Sequence, residues 1–179
     1  QAVGGVINGQ ADNMGTIAVT NTGGKVSFAG AIGGINDIKN ITIGTTSDDS
    51  SANFAAAVNA NTITVQGGEA AVEDSLAEFD AAVTGAIVLT PGTLSDATVD
   101  FMDVNAIIAL TSTITTGSTA GDNTNVRIYD AGGGAAAVQT FSGAIGTTTN
   151  RVGTLQVGGV TTDGGSGNFN ADVAVTNLN

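Results

Sequence analysis

Apolar and small or polar residues alternate in short runs along this chain, the period-two mark of half-buried strands. Six such triplets recur: Ile17-Ala18-Val19, Ile41-Thr42-Ile43, Ile63-Thr64-Val65, Ile87-Val88-Leu89, Val126-Arg127-Ile128 and Leu155-Gln156-Val157. Ile108-Ala109-Leu110 fits the same slot, so the triplets begin at 17, 41, 63, 87, 108, 126 and 155. Between them lie clusters of Gly, Asn, Asp, Ser and Thr, such as 46–51, 117–125 and 161–168, which carry turn chemistry.

The phenylalanines follow the same beat. Phe28, Phe54, Phe79, Phe101, Phe141 and Phe169 stand 26, 25, 22, 40 and 28 residues apart. Five of them open a segment F-x-x-x-[IV], and Phe101 departs with FMDV. The gap of 40 reads as two periods of 20 with one ring missing. Residues 26–44 also parallel 139–159.

Units this short carry too little apolar side chain to bury alone. Stacked at the strand spacing of about 4.8 Å, each satisfies its neighbours' amides and lines up its rings and aliphatic groups in inward ladders. The reading is therefore all-β: one parallel β-helix over 1–179, of about seven irregular coils, with an irregular stretch at 101–125 and the six Phe as core ladder. One segment reads two ways. In residues 69–83, Val72, Leu76, Phe79 and Val83 also have helical spacing, and Glu and Ala are good helix formers. A short side helix there competes with a further coil.

Composition sharpens this picture. Gly is 27 of 179 residues and aromatics are 4%, which suits small repeated layers better than a core of large rings. Four Lys+Arg against 16 Asp+Glu give a net charge of −12. Such a surface repels phosphate backbones and anionic bilayers, so the expectation is no nucleic-acid partner and no membrane insertion. Cys and His are absent, which removes disulfides, thiolate metal sites and Ser-His or Cys-His nucleophiles. The expectation is that the chain is not an enzyme.

With these repeats in view, the F-x-G-A-[IV]-G cadence and the Asn/Thr/Gly spacers over about residues 15–175 resemble the passenger repeats of bacterial autotransporter adhesins and rickettsial-type surface antigens. The resemblance implies a right-handed β-helix displayed outside the cell, at the bacterial surface, with adhesive or structural duty.

Four candidate chemistries remain. The carboxylates Glu69, Glu73, Asp74, Glu78 and Asp80, and then Asp96, Asp100 and Asp103, read first as a solvated acidic face and second as a carbohydrate-active or carbohydrate-binding groove. Asp48, Asp49, Asp122 and Asn123 offer oxygen ligands in turns that suit Ca²⁺, against the plainer reading of turn capping. Gly132–Gly134 reads as a turn rather than a phosphate cradle, since no Walker lysine follows. Threonine arrays such as Thr111–Thr116 raise ice binding, but they repeat at no fixed coil position along the sequence. The leading functional expectation is a structural filament or surface-layer subunit that self-associates head to tail through its terminal coils. The alternative is an adhesin passenger that binds a host or neighbouring cell.

Overall fold

The computed structural model describes residues 1–69, 74–103, 109–111, 113–117, 123–130, 138–159 and 164–179. These form a parallel β-solenoid of about six turns. One sheet, here sheet A, stacks β1 (Ala2–Val3), β3 (Lys25–Phe28), β5 (Ser51–Phe54), β7 (Ser75–Phe79), β9 (Ala97–Asp103), β12 (Thr124–Asp130), β14 (Val152–Val157) and β16 (Val175–Leu178) in that order. Sheet B stacks β2 (Met14–Val19), β4 (Ile38–Ile43), β6 (Val58–Gln66), β8 (Val83–Thr90), β10 (Ala109–Leu110), β13 (Gln139–Phe141) and β15 (Gly167–Phe169), with β11 (Ile114–Thr116) also on β8.

Register places equivalent side chains above one another. One inward row of sheet A runs Val3, Phe28, Phe54, Phe79, Phe101, Ile128, Val157. The seven coils counted from strand starts, which mix strands of the two sheets, correspond to about six turns. The row it meets in sheet B runs Ile7, Ile32, Val58, Val83, Leu110, Phe141, Phe169. A further row of sheet B is almost pure isoleucine: Ile17, Ile41, Ile63, Ile87, Ile114, Ile145, Val173. From Ile41 to Ile145 these isoleucines are fully buried.

The six rings form one series, with neighbouring centroids 5.1, 5.0, 5.9, 5.1 and 5.2 Å apart. Four of these contacts are stacked, and Phe101–Phe141 is edge-on at 82°. That contact explains the long gap. No turn has lost its ring there: the residue above Phe101 in sheet A is Ile128, and the ring of that turn sits across the core at Phe141, above Leu110. The triplets divide accordingly. The first four lie in sheet B, whereas Val126–Ile128 and Leu155–Val157 lie in sheet A, and Ile108 lies outside the described residues. The F-x-x-x-[IV] segment is thus a corner device used at two corners. Phe28, Phe54 and Phe79 turn from sheet A into sheet B, while Phe141 and Phe169 turn between two rows of sheet B.

The helical reading of 69–83 gives way to strands. Ser75–Phe79 pairs in parallel with β5 and β9, and Val83 opens β8. Ala77, Phe79 and Val83 are fully buried, while Leu76 points outward. The apparent helical period is a strand followed by a corner; Val72 lies outside the described residues. Corners also explain one glycine. Gly85 has φ +124°, and a Cβ there would lie 1.8 Å from the Ala60 carbonyl oxygen, so the neighbouring turn occupies the space of any side chain.

Candidate functional site

The outward positions of sheet A alternate with its buried rows, and one outward column runs Ser27, Asn53, Glu78, Asp100, Arg127, Gln156. Glu78 and Asp100 are therefore opposite one another on adjacent strands. They are not a solvated face, as the sequence suggested: Glu78 is 6% exposed and Asp100 fully buried. Burial of a carboxylate is tolerable only with charged or hydrogen-bonding partners, and both have them. Lys25, two turns away, pairs with Glu78 Oε2. Arg127 donates from Nε to Asp100 Oδ1 at 2.6 Å and from Nη2 to Oδ2 at 2.7 Å, a two-pronged grip on a carboxylate. The Tyr129 hydroxyl donates to Asp100 Oδ2 at 2.8 Å.

The electrostatics follow from this geometry. The hydrogen bond to Asp100 raises the Arg127 pKa above its ordinary value, outweighing the opposing effect of burial. Burial raises the Tyr129 pKa well above that of a free phenol, and the negative charge and hydrogen bond of Asp100 add to it. The cluster holds Tyr129 as a neutral donor and Arg127 as a fixed cation. Its ion pairs join Lys25 to Glu78 across two turns and Asp100 to Arg127 across the next step of the stack but one, and all its described charges are engaged within the protein.

Of the other acidic residues, Asp74 and Asp96 share one corner on successive turns, just before β7 and β9, and Glu69, Asp74, Asp80 and Asp96 each accept a hydrogen bond. Glu69 accepts from Thr93 Oγ1 at 2.6 Å, and Asp74 Oδ1 caps the Asp96 amide at 2.9 Å. Asp96 Oδ2 accepts from Asn125 at 2.8 Å and Asp80 Oδ2 from Asn53 at 2.9 Å. Glu73 and the Asp103 side chain lie outside what is described. Asp49 Oδ1 caps the Gly68 amide at 2.6 Å, and the Ser75 hydroxyl also points to it at 3.4 Å. Asp48 is exposed and precedes β5, whereas Asn123 precedes β12, three strands further along sheet A. The structure does not bring these two loops together. Asp122 and Gly132–Gly134 lie outside the described residues. Among the described residues no three His, Cys, Asp or Glu side chains gather as a metal would require.

Lys25 and Arg127 are two of the four cations of the chain, and Tyr129 is its one tyrosine. The signal for the Asp100–Arg127 pair was available in the register. Asp100 directly precedes Phe101, and Arg127 directly precedes Ile128, so both occupy the outward position just before an inward row.

The end turns form a second feature. At the start, Val3, Ile7 and Ile17 are only half-buried, whereas the residues one turn further in are buried. Val3, Ile17, Val19, Val26 and Phe28 line an open cavity of about 440 Å³. At the other end Val173 is 40% and Leu178 is 70% exposed, although Ile145 and Leu155 beneath them are 0% and 1% exposed. β1 and β2, and β15 and β16, each leave one edge without a strand partner among the described residues. No protein-family model, curated protein or solved structure matches this chain, so what it is similar to rests on its own parallel β-solenoid arrangement.

Proposed function

We propose that this chain is a structural element of an extracellular filament or surface layer, and that its end turns pair with the end turns of a second copy. The observation that carries this reading is the pair of incomplete ends. Inward rows that are closed within the stack lie open at Val3, Ile7, Ile17, Phe169, Val173 and Leu178. Unpaired strand edges add a template of free N–H and C=O groups to that apolar floor. Head-to-tail contact between different surfaces yields an open filament rather than a closed ring. Stability then grows with each nearest-neighbour interface. An extracellular setting is supported by the acidic, Gly-, Asn- and Thr-rich chain and by its resemblance to surface-antigen repeats.

Sedimentation velocity and negative-stain microscopy over a concentration series test the proposal. Wild-type protein forms rods whose length increases with concentration. Leu178→Lys, at an exposed end position, shortens them without changing the β-sheet circular dichroism. A wild-type chain that stays monomeric at high concentration overturns the reading.

A further inference from the structure

The outer face of sheet B has a property its sequence conceals. Along the chain its threonines follow no fixed period, because the turns differ in length. In the parallel register five of them fall into two columns. One runs Thr16, Asn40, Thr62, Ala86; the other, two residues along each strand, runs Ala18, Thr42, Thr64, Val88, Thr115. The Thr113 carbonyl accepts from Ile87 N at 2.9 Å, which sets Thr113 beside Ala86, so Thr113–Thr115 is a second T-x-T on the far side of β8 from Thr62–Thr64. Within a column neighbours stand about 4.8 Å apart, the strand separation, and the two columns lie two residues, about 6.6 Å, apart. Beneath the array lies the uniform isoleucine row; the β6–β8 register shifts between Asn59 and Thr62 and is then continuous from Thr62 to Gln66. An identical buried ladder is one of the devices that keep a sheet flat.

Chemistry and electrostatics single out this face. The hydroxyls of Thr42, Thr62 and Thr64 have no hydrogen-bond partner among the described residues, and the three side chains are half-buried. β-Branching restricts χ1, so their hydroxyls and methyls repeat rather than average. Neither column contains a charge, in a chain of net charge −12; the exposed Lys39 lies in β4 directly before Asn40. The opposite face carries Lys25, Glu78, Asp100 and Arg127.

We propose that this neutral, two-dimensional hydroxyl and methyl lattice binds the surface of ice, its threonines ordering water on both repeats at once. The array measures roughly 20 Å by 10 Å, far below the ~800 Å² per partner of a stable protein interface, which argues against a second copy as its occupant. Unpartnered hydroxyls would also be left unsatisfied in a dry contact, whereas each can donate one and accept two bonds from an ordered water layer. Occupancy of this face does not depend on the end turns, so it stands or falls separately from filament formation.

The test is thermal hysteresis and ice shaping of the purified chain, with ice-affinity partitioning as a binding readout. Wild-type protein facets ice and enriches in the frozen fraction. Thr64→Tyr and Thr42→Tyr lose both effects, while Asn53→Tyr on sheet A retains them, each variant checked for native circular dichroism. Ala86→Thr combined with Val88→Thr fills the interruption in both columns and strengthens the effect, a gain that misfolding cannot mimic. Unaltered ice growth with wild-type protein overturns the proposal. So does binding to microcrystalline cellulose or chitin that the two tyrosine variants abolish while ice remains unaffected.

Discussion

The turns up to Phe101 and the turns after it solve the same packing problem with opposite hands of the core. In the first region the ring comes from sheet A and a smaller aliphatic group from sheet B: Phe28 with Ile32, Phe54 with Val58, Phe79 with Val83, Phe101 with Leu110. In the second the order is exchanged, Ile128 with Phe141 and Val157 with Phe169. Each of these turns still spends one ring and one aliphatic group on the same layer. The lesson is that a stacked core conserves volume per layer more strictly than it conserves which strand supplies it. The exchange occurs at the step that the Asp100–Arg127–Tyr129 cluster spans from outside.

The largest expected effect tests whether the two regions really share one column. Phe79→Ala and Phe141→Ala should each cost about 3–5 kcal/mol in chemical denaturation, the range for removing a buried ring. Phe169→Ala, half-buried at the end, should cost clearly less. If Phe141→Ala proved as mild as Phe169→Ala, the second region would not continue the first.

Next comes the clamp at the junction. Arg127→Leu leaves the fully buried Asp100 with only the Tyr129 hydroxyl. Loss of one partner of a buried pair costs about 3–5 kcal/mol, and the Arg127 side chain is 38% exposed. Solvent screening therefore places the expected loss nearer 2 kcal/mol. The pair Asp100→Asn with Arg127→Leu should recover part of that loss; strict additivity of the two changes would show that they do not interact.

A smaller effect probes the exchange itself. Ile128→Phe puts two rings into one layer and should destabilise by about 1–3 kcal/mol. Combining it with Phe141→Leu moves the ring back to sheet A and should be milder than the sum of the single changes. A purely additive result would mean that volume per layer is not what the core conserves.

The smallest effect is confined to alkaline solution. The folded Tyr129 pKa lies above its unfolded value of about 10. Its contribution is therefore complete below pH 10 and is lost as pH rises through the folded value. Tyr129 is the only tyrosine and there is no tryptophan, so its absorbance titration reads a single group. A midpoint near 10 in the native protein would show that burial and Asp100 do not hold the phenol neutral. Tyr129→Phe should flatten the dependence.

Several features were legible in the residues themselves. The Phe beat and the F-x-x-x-[IV] corners announced stacked turns, because a strand that turns inward must place its ring and the next aliphatic group on either side of a bend. Glu78 and Asp100 were visible only as members of acidic runs. Their burial depends on Lys25, Arg127 and Tyr129, which lie 27 to 53 residues away and meet them only through register. Phe79 and Val83 imitated a helix because a four-residue spacing arises equally from a helical turn and from a strand plus corner.

Sequence alone determined that this chain winds in parallel strands around narrow, mostly aliphatic layers, since alternation, small residues and turn clusters admit little else. Tertiary structure alone decided which sheet each ring comes from, which carboxylates are buried, and that scattered threonines become two columns. Those outcomes depend on turn length, which sets how residues from different turns line up, and turn length has no periodic signature along the chain.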